Sequence, residues 1–413
     1  MQLDPRLPSY YRKAAVVIKL LRFAALLGFV VFSVFCIGFF KDNITIDNLR
    51  YLIKYIDLSS SDSSPSKTEI SISTDESSEF FMLGKDLAVV SNSGVGLYGF
   101  SGNKLYQYDH TYASCAAVAG ANNLLVYDTG GNHLEIYSPV SKVLEMSFEY
   151  PVRVACINEL GYFAVVNSES TFRSGIIVFD SDGEELMRWM SPDKYVTGVA
   201  LNSNASVVTC SAVHSENGSF YTELISYNTL TGEKVAETTL ADSLALKIGY
   251  ASGDSVIYVL TDSEFICFDS SFNVSGRAAY NPENAKFFRV FDDCFILAES
   301  NNLAGNSMTV KAYSYEALPL FECSAKEKII DAEYKDSTLY LLGAHNLFVY
   351  DYGTEPGTLT ELAARELAIQ YNAVRADDYG RYILISAKKA ERDSLAALLE
   401  SQMENSPDSS ENG

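Results

Sequence analysis

Cysteine pairs at Cys-x-x-Cys spacing are missing from this sequence, as is any Cys/His grouping at metal-ligand spacing, which leaves no local signal for a structural zinc site. Histidine is scarce. The four present, His110, His133, His214 and His345, lie scattered along the chain, and no serine sits in a Gly-x-Ser-x-Gly turn, so neither metal nor nucleophile chemistry has a local motif. Positive charge is short as well: 31 Lys and Arg against 53 Asp and Glu give a net charge of −22. That deficit argues against nucleic acid, whose phosphates reward basic patches. The sequence therefore nominates no catalytic residue, no cofactor-binding residue, no metal ligand and no cofactor.

Disulfides are not expected either. Cys115, Cys156, Cys210, Cys267, Cys294 and Cys323 fall mostly in different strand units, and the two that share a unit, Cys294 and Cys323, occupy its second and fourth strands, which are not neighbours. They read as buried free thiols. Gly94-Val95-Gly96-Leu97-Tyr98-Gly99 matches a dinucleotide fingerprint literally, but it joins two strands instead of opening a helix, so its glycines read as a tight hairpin and a close strand approach. Asp180-Ser181-Asp182-Gly183-Glu184-Glu185 has oxygens at alternate positions like a calcium loop yet lacks the full spacing, and a hairpin turn explains it. The sequon Asn217-Gly218-Ser219 matters only in a eukaryotic source.

Long apolar runs are confined to one place. Phe23 to Phe40 is an uncharged stretch of eighteen residues, about 27 Å as a helix, which nearly matches a hydrocarbon core. Arg6, Arg12, Lys13, Lys19 and Arg22 precede it against Asp4 alone, so the positive-inside rule places the N-terminus in the cytoplasm. A cleaved signal peptide is the competing reading; its apolar core would be shorter and end in a small-residue site, and neither condition is met. Cys36 reads as lipid-facing, with palmitoylation as the alternative. Ile46, Leu49, Leu52, Ile53 and Ile56 then form one stripe of a short amphipathic helix, and Ser59 to Lys67 is a solvated linker. Beyond residue 58 the remaining 23 basic and 49 acidic residues leave a net charge of −26, suited to solubility outside the cell.

From about residue 69 the pattern changes to period-two apolar alternation broken by Gly, Asn, Asp and Ser, the mark of antiparallel strands. The strands repeat. Apolar runs at Leu87, Leu124, Tyr162, Ser206, Val256, Cys294, Thr338 and Tyr382 recur roughly every 42 residues. A second motif, an aromatic followed by Asp, Asn or Ser, interleaves at Phe100, Tyr137, Phe179, Tyr227, Phe268, Tyr313 and Tyr350. Two agreeing periodicities predict an all-β propeller of about eight four-stranded blades, with seven as the alternative, since eight runs face only seven aromatic strands. Glu69 to Thr74 alternates cleanly and is expected to pair with the C-terminal hairpin, closing the last blade. KKAERDSLAALLESQM after that hairpin reads helical, and the acidic tail from Glu404 reads disordered. The expected organisation is thus a cytoplasmic tail over 1–13, a transmembrane helix over 14–40, an amphipathic helix over 41–58, a linker over 59–68, the propeller over 69–388 and a helix with an acidic tail over 389–413.

The units IIVFDSDGEELMRW (176–189) and LISYNTLTGEKVAETTL (224–240) resemble the repeats of pyrroloquinoline-quinone-like and WD40-like propellers. One span, the IDNLRYLIKYIDL segment and a divergent propeller together resemble a family of uncharacterised single-pass propeller proteins of Firmicutes. That resemblance implies a plasma-membrane location with the propeller outside the cytoplasm, and no assigned activity. The chain departs from the quinone enzymes: it has Trp189 as its single tryptophan, where their repeats dock blades with tryptophan, and it lacks their adjacent cysteine pair. The reading is a membrane-tethered scaffold or interaction propeller whose partner is an envelope protein or polymer. A cation or small-ligand sensor with acidic residues at the propeller mouth is the alternative, and a propeller enzyme, whose residues would come from many blades, is the third class.

Overall fold

Each of the eight apolar runs becomes the second strand of a four-stranded antiparallel sheet in the computed structural model. The structure describes residues 68–405, apart from 76, 100–101, 121, 169–170, 217, 242, 252, 354–356 and 378–379, together with Lys19, Arg22, Leu26 and Leu27. The chain divides into two units, Met1–Ser61 and Asp62–Gly413. In the first, the four described residues are helical and exposed. Apart from these four residues and Thr68, the expected transmembrane helix, amphipathic helix and linker lie outside the described residues, as do the sequon's Asn217 and the tail beyond Asn405. Among the described residues no helix is long and apolar enough to cross a membrane.

The second unit is an eight-bladed propeller. Blades 1 to 7 are simple meanders over 79–109, 115–147, 152–191, 195–241, 245–279, 285–325 and 329–366. First strands of neighbouring blades touch around the ring, which closes between Glu79–Leu83 and Ala373–Ala376. Burial follows from that placement: second strands such as Phe163–Asn167 are buried along their whole length, whereas fourth strands such as Lys142–Ser147 alternate in and out of solvent. The apolar core is divided among eight clusters, one at each blade junction; Ile176 and Val178 of blade 3, for example, pack on Val199, Val208 and Cys210 of blade 4. An isolated blade would leave both faces wet, so the ring is the folding unit.

The aromatic motif has a local cause. Third strands shift register by one residue at Tyr98, Tyr137, Phe179, Tyr227, Phe268, Tyr313 and Tyr350, a bulge that ends the ladder in blades 1 to 6, whereas in blade 7 pairing continues to Tyr352. The polar residue after the aromatic then caps the turn. Asp180 Oδ1 accepts from the amides of Asp182 (3.0 Å) and Glu184 (2.8 Å), and Ser138, Asn228, Asp269 and Ser314 do the same in their own blades. The Asp180 segment is this turn, with Gly183 at φ 86°. In blade 1 the motif's aromatic is Tyr98, two residues before the expected Phe100, and the strand there is Gly94–Tyr98 itself. The Gly94 to Gly99 run therefore forms a strand instead of joining two. Its close approach is real: a Cβ on Gly94 would sit 2.5 Å from the Tyr108 carbonyl of the fourth strand.

Blade 8 is built from both ends of the unit, in the order Thr68–Ser71, Lys389–Ser394, Arg381–Ile385, Ala373–Ala376. Two boundaries change here. The first strand begins at Thr68, inside the expected linker, and residues 389–394 form a strand where a helix was expected, because their amides complete ladders on both sides and Ala390, Glu391 and Arg392 are buried. Only then does the helix begin, as Leu395–Asn405, with Ser394 Oγ accepting the Ala397 amide at 3.1 Å. It includes Glu404 and packs Leu395, Leu398 and Leu399 on the junction of blades 7 and 8.

Placing an acid at Ile70, which is fully buried in the closing strand, should cost roughly 3–5 kcal/mol, while an acid at its exposed neighbour Ser71 should change stability by about 0.5 kcal/mol or less. Chemical denaturation of the two variants checks this; equal effects would mean that the closing strand contributes little.

Candidate functional site

Propeller first strands present their open edges to a central channel, so side chains drawn from distant blades meet there. Glu79 comes from blade 1, Lys247 from blade 5, Arg289 from blade 6, Asp331 and Glu333 from blade 7, and Arg375 from blade 8. Asp331, 1% exposed, is the hub. Its Oδ1 accepts from Arg289 Nε (2.9 Å) and Nη2 (2.5 Å), and its Oδ2 from Arg375 Nη1 (2.7 Å) and the Val374 amide (3.2 Å). Arg375 Nε also donates to the Phe80 carbonyl across the ring closure at 2.9 Å. Glu333 lies 3.8 Å from Arg375, and burial, opposed by that arginine and aided by Asp331, pushes its carboxyl up to about 7. Glu79 is also raised by burial, while burial and the Arg289 charge lower the Lys247 amine.

Bulges in the first strands of blades 3 to 7 fall at one level, between Val152 and Val154, Val196 and Gly198, Ala245 and Lys247, Ala285 and Phe287, and Ile329 and Asp331. The extra residues are Arg153, Thr197, Leu246, Lys286 and Ile330. This level lies toward the face that carries the blade-to-blade connections and the turns between second and third strands. On the same face the hairpin Val207–Glu216 and Ser219–Asn228 of blade 4 runs ten residues per strand and carries Phe220, 68% exposed. Tyr195, with Arg173 stacked 4.9 Å from its ring centroid, and Leu244 are exposed nearby. The opposite, hairpin face has a mouth of about 510 Å³ lined in part by Glu159, Asp254, Asp292, Lys335 and Asp377. Two of these acids are engaged: Asp254 accepts from Ser203 and Asp377 from Arg381.

A second polar group fills the seam between blades 1 and 2. His110 Nδ1 lies 3.0 Å from Glu135 Oε2, its Nε2 lies 2.9 Å from the Ser91 carbonyl, and Cys115 Sγ is 3.9 Å from that Nε2. Tyr137 (2.7 Å) and Lys142 (3.0 Å) also donate to Glu135. The grouping resembles a Cys-His-Glu nucleophile arrangement, but a carbonyl only accepts, so Nε2 carries the hydrogen and cannot take one from the thiol. Burial, with nearby carboxylates, pushes the Cys115 thiol up to about 12. The group is an interblade tie. Burial alone would raise Glu135, yet the hydrogen bonds from His110, Tyr137 and Lys142 outweigh it and hold the carboxyl near about 2.

The remaining histidines are separate: His133 meets Ser147, His214 stacks on Tyr221 and faces Glu223, and the His345 amide donates to Glu327. All six described cysteines are free; four are buried and Cys115 and Cys323 are half-buried. Among the described residues no three His, Cys, Asp or Glu side chains converge to hold a metal ion.

The family profile that fits this propeller spans residues 59–392. The chain belongs to DUF5711, a family of unknown function. No curated protein matches it in sequence. Among solved structures this DUF5711 propeller is similar to the computationally designed Ika8 protein (11% identity, TM-score 0.56, covering 80% of this chain and 100% of that one). It is also similar to the C-terminal WD40 domain of Sif2 (11%, 0.54, 80% and 97%) and to BamB from Moraxella catarrhalis (15%, 0.50, 79% and 100%). These likenesses agree with the propeller fold, whose eight blades are given by the strand order.

Two carboxylates of this DUF5711 chain should act on stability with opposite sign. Glu135, lowered on folding, stabilises above pH 4.5 and loses that contribution as pH falls toward about 2. Glu135→Gln should therefore cost roughly 2–4 kcal/mol at neutral pH, and the difference from wild type should shrink in acid. Glu333, raised on folding, withdraws stability as pH climbs from 4.5 through about 7. Glu333→Gln should match wild type at pH 4 and exceed it by roughly 1–3 kcal/mol at pH 8. Denaturant unfolding at pH 4, 6 and 8 checks both; pH-independent differences would contradict the two assignments.

Proposed function

We propose that this chain is a membrane-tethered, extracytoplasmic interaction propeller that holds an envelope protein on its connection face. The overlong blade 4 hairpin carries the proposal. Phe220, Tyr195 and Leu244 expose apolar surface beside Arg173, and aromatic and arginine side chains are the groups that dominate binding energy when a partner covers them. Thr68 enters the propeller at the opposite, hairpin face. The apolar 23–40 segment and the positive residues before it support the tether and its orientation. The cation-sensor alternative has less support, because acids at the hairpin mouth are already engaged by Ser203 and Arg381.

Crosslinking in native membranes, followed by purification through a C-terminal tag, should recover one dominant envelope protein. Its yield should fall at least tenfold for Phe220→Ser, about 1.4 kcal/mol of binding. Recovery of the chain alone, at near-complete yield, would remove the interaction reading. The tether is checked separately: a single cysteine placed within 59–67 should react with a membrane-impermeant thiol reagent on intact cells, and silence there would reverse the orientation.

A further inference from the structure

The channel wall holds a hydroxyl for which the fold supplies no partner. Tyr258 lies on the second strand of blade 5, 7% exposed, with its ring centroid 5.8 Å from that of Phe265 and 6.1 Å from that of Tyr315. It pairs across the ladder with Gly249 of the first strand, and a Cβ there would sit 2.3 Å from the Tyr258 Oη. The glycine leaves the space through which the ring crosses to the innermost layer, and both residues line a cavity of about 620 Å³ in the channel. Among the described residues Oη makes no hydrogen bond, whereas tyrosine hydroxyls buried this deeply are ordinarily paired.

The rest of the cavity is chiefly apolar. Phe81, Val154, Leu246, Ile248 and Val290 bring its wall together from blades 1, 3, 5 and 6. Leu246 is 55% exposed although it belongs to an innermost strand. Water can take the Tyr258 hydrogen bond, but it leaves these side chains wet, at the usual cost of exposed apolar surface. Charge gives a ligand no handle here. Lys247 is the one charged residue in the lining and Glu79 acts on it as a counter-charge, while Arg289 and Arg375 are taken up by Asp331.

We infer that the channel binds a small neutral molecule with an apolar body and a carbonyl oxygen, which accepts from Tyr258 Oη while the body covers Phe81, Val154 and Leu246. A cavity of this size lies within the range of small-molecule sites. A carbonyl is the fitting head because the phenol offers one hydrogen, and the stacked ring holds that donor in place before the ligand arrives. The site is separate from the connection face and does not depend on the tether.

The test titrates 4-phenyl-2-butanone, 3-phenylpropionate and 3-phenylpropylamine by calorimetry into the full chain in lipid nanodiscs, with empty nanodiscs subtracted. The ketone should bind saturably, and both ions about tenfold more weakly or worse. Tyr258→Phe keeps the ring and removes the hydroxyl alone, so it should weaken the ketone by about threefold to tenfold at an unchanged unfolding midpoint. Leu246→Asp, at an exposed side chain, should fold as wild type does and lose saturable binding. No saturable binding of the ketone, equal binding of either ion, or wild-type ketone affinity in either folded variant would each overturn the site. A lowered midpoint in Tyr258→Phe would overturn it too, by showing that the hydroxyl is already engaged within the fold.

Discussion

Closure of the ring is the constraint on which every other feature depends. Seven blades are contiguous in sequence and could each pair internally, but blade 8 exists only when Thr68–Ser71 finds Lys389–Ser394, more than three hundred residues away. Two arginines secure the same junction from the other side: Arg375 donates to the Phe80 carbonyl, and Arg392 to the Lys85 carbonyl at 3.1 Å. Loop closure over so long a span costs only slowly growing entropy, a few kcal/mol more than a short hairpin. The apolar junction of blades 8 and 1, with Ile70, Leu87 and Ile385 buried, more than offsets it.

Because the core is split into eight seams, each seam must be specified separately. Aliphatic and aromatic packing dominates them, including the stacked Phe265 and Phe295 between blades 5 and 6, and between blades 7 and 8 Arg365 also pairs with the buried Glu391 and with Asp393. Between blades 1 and 2 a charged group is added, and Glu135 at its centre accepts from His110, Tyr137 and Lys142. A buried polar tie of this sort favours one partner blade over another, since a shifted pairing would strand the carboxylate. In a molecule made of near-identical units, that is a use for buried charge which apolar packing cannot supply.

The fold was legible because two periodic signals have local physical causes. Second strands are buried on both faces and read as apolar runs; third strands end in a bulge and a side-chain-capped turn, which demands an aromatic followed by Asp, Asn or Ser. Where those causes fail, the reading failed. Blade 1 uses Tyr98 followed by Gly99, and the aromatic-polar pair nearest in sequence is Phe100-Ser101. Residues 389–394 carry Glu391 and Arg392 at buried positions and give no strand pattern, because one side of their pairing comes from the other end of the chain. The channel cluster was invisible for a related reason. Its six charges come one or two at a time from the first strands of five blades, and a single charged residue in a half-exposed strand looks like ordinary surface. His110, Cys115 and Glu135 are separated in sequence, and only the seam brings them together.

The distribution of charge separates two roles within one disc. The outer surface carries most of the excess of acid, which keeps the molecule soluble and repels its copies. Inside, where first strands converge, the cations Lys247, Arg289 and Arg375 meet the acids Glu79, Asp331 and Glu333, and Asp331 is shared by two arginines. Folding thus gathers charges of both signs at the axis without any charged cluster in the sequence. The bulged first strands then turn apolar Leu246 and basic Lys247 toward the same space.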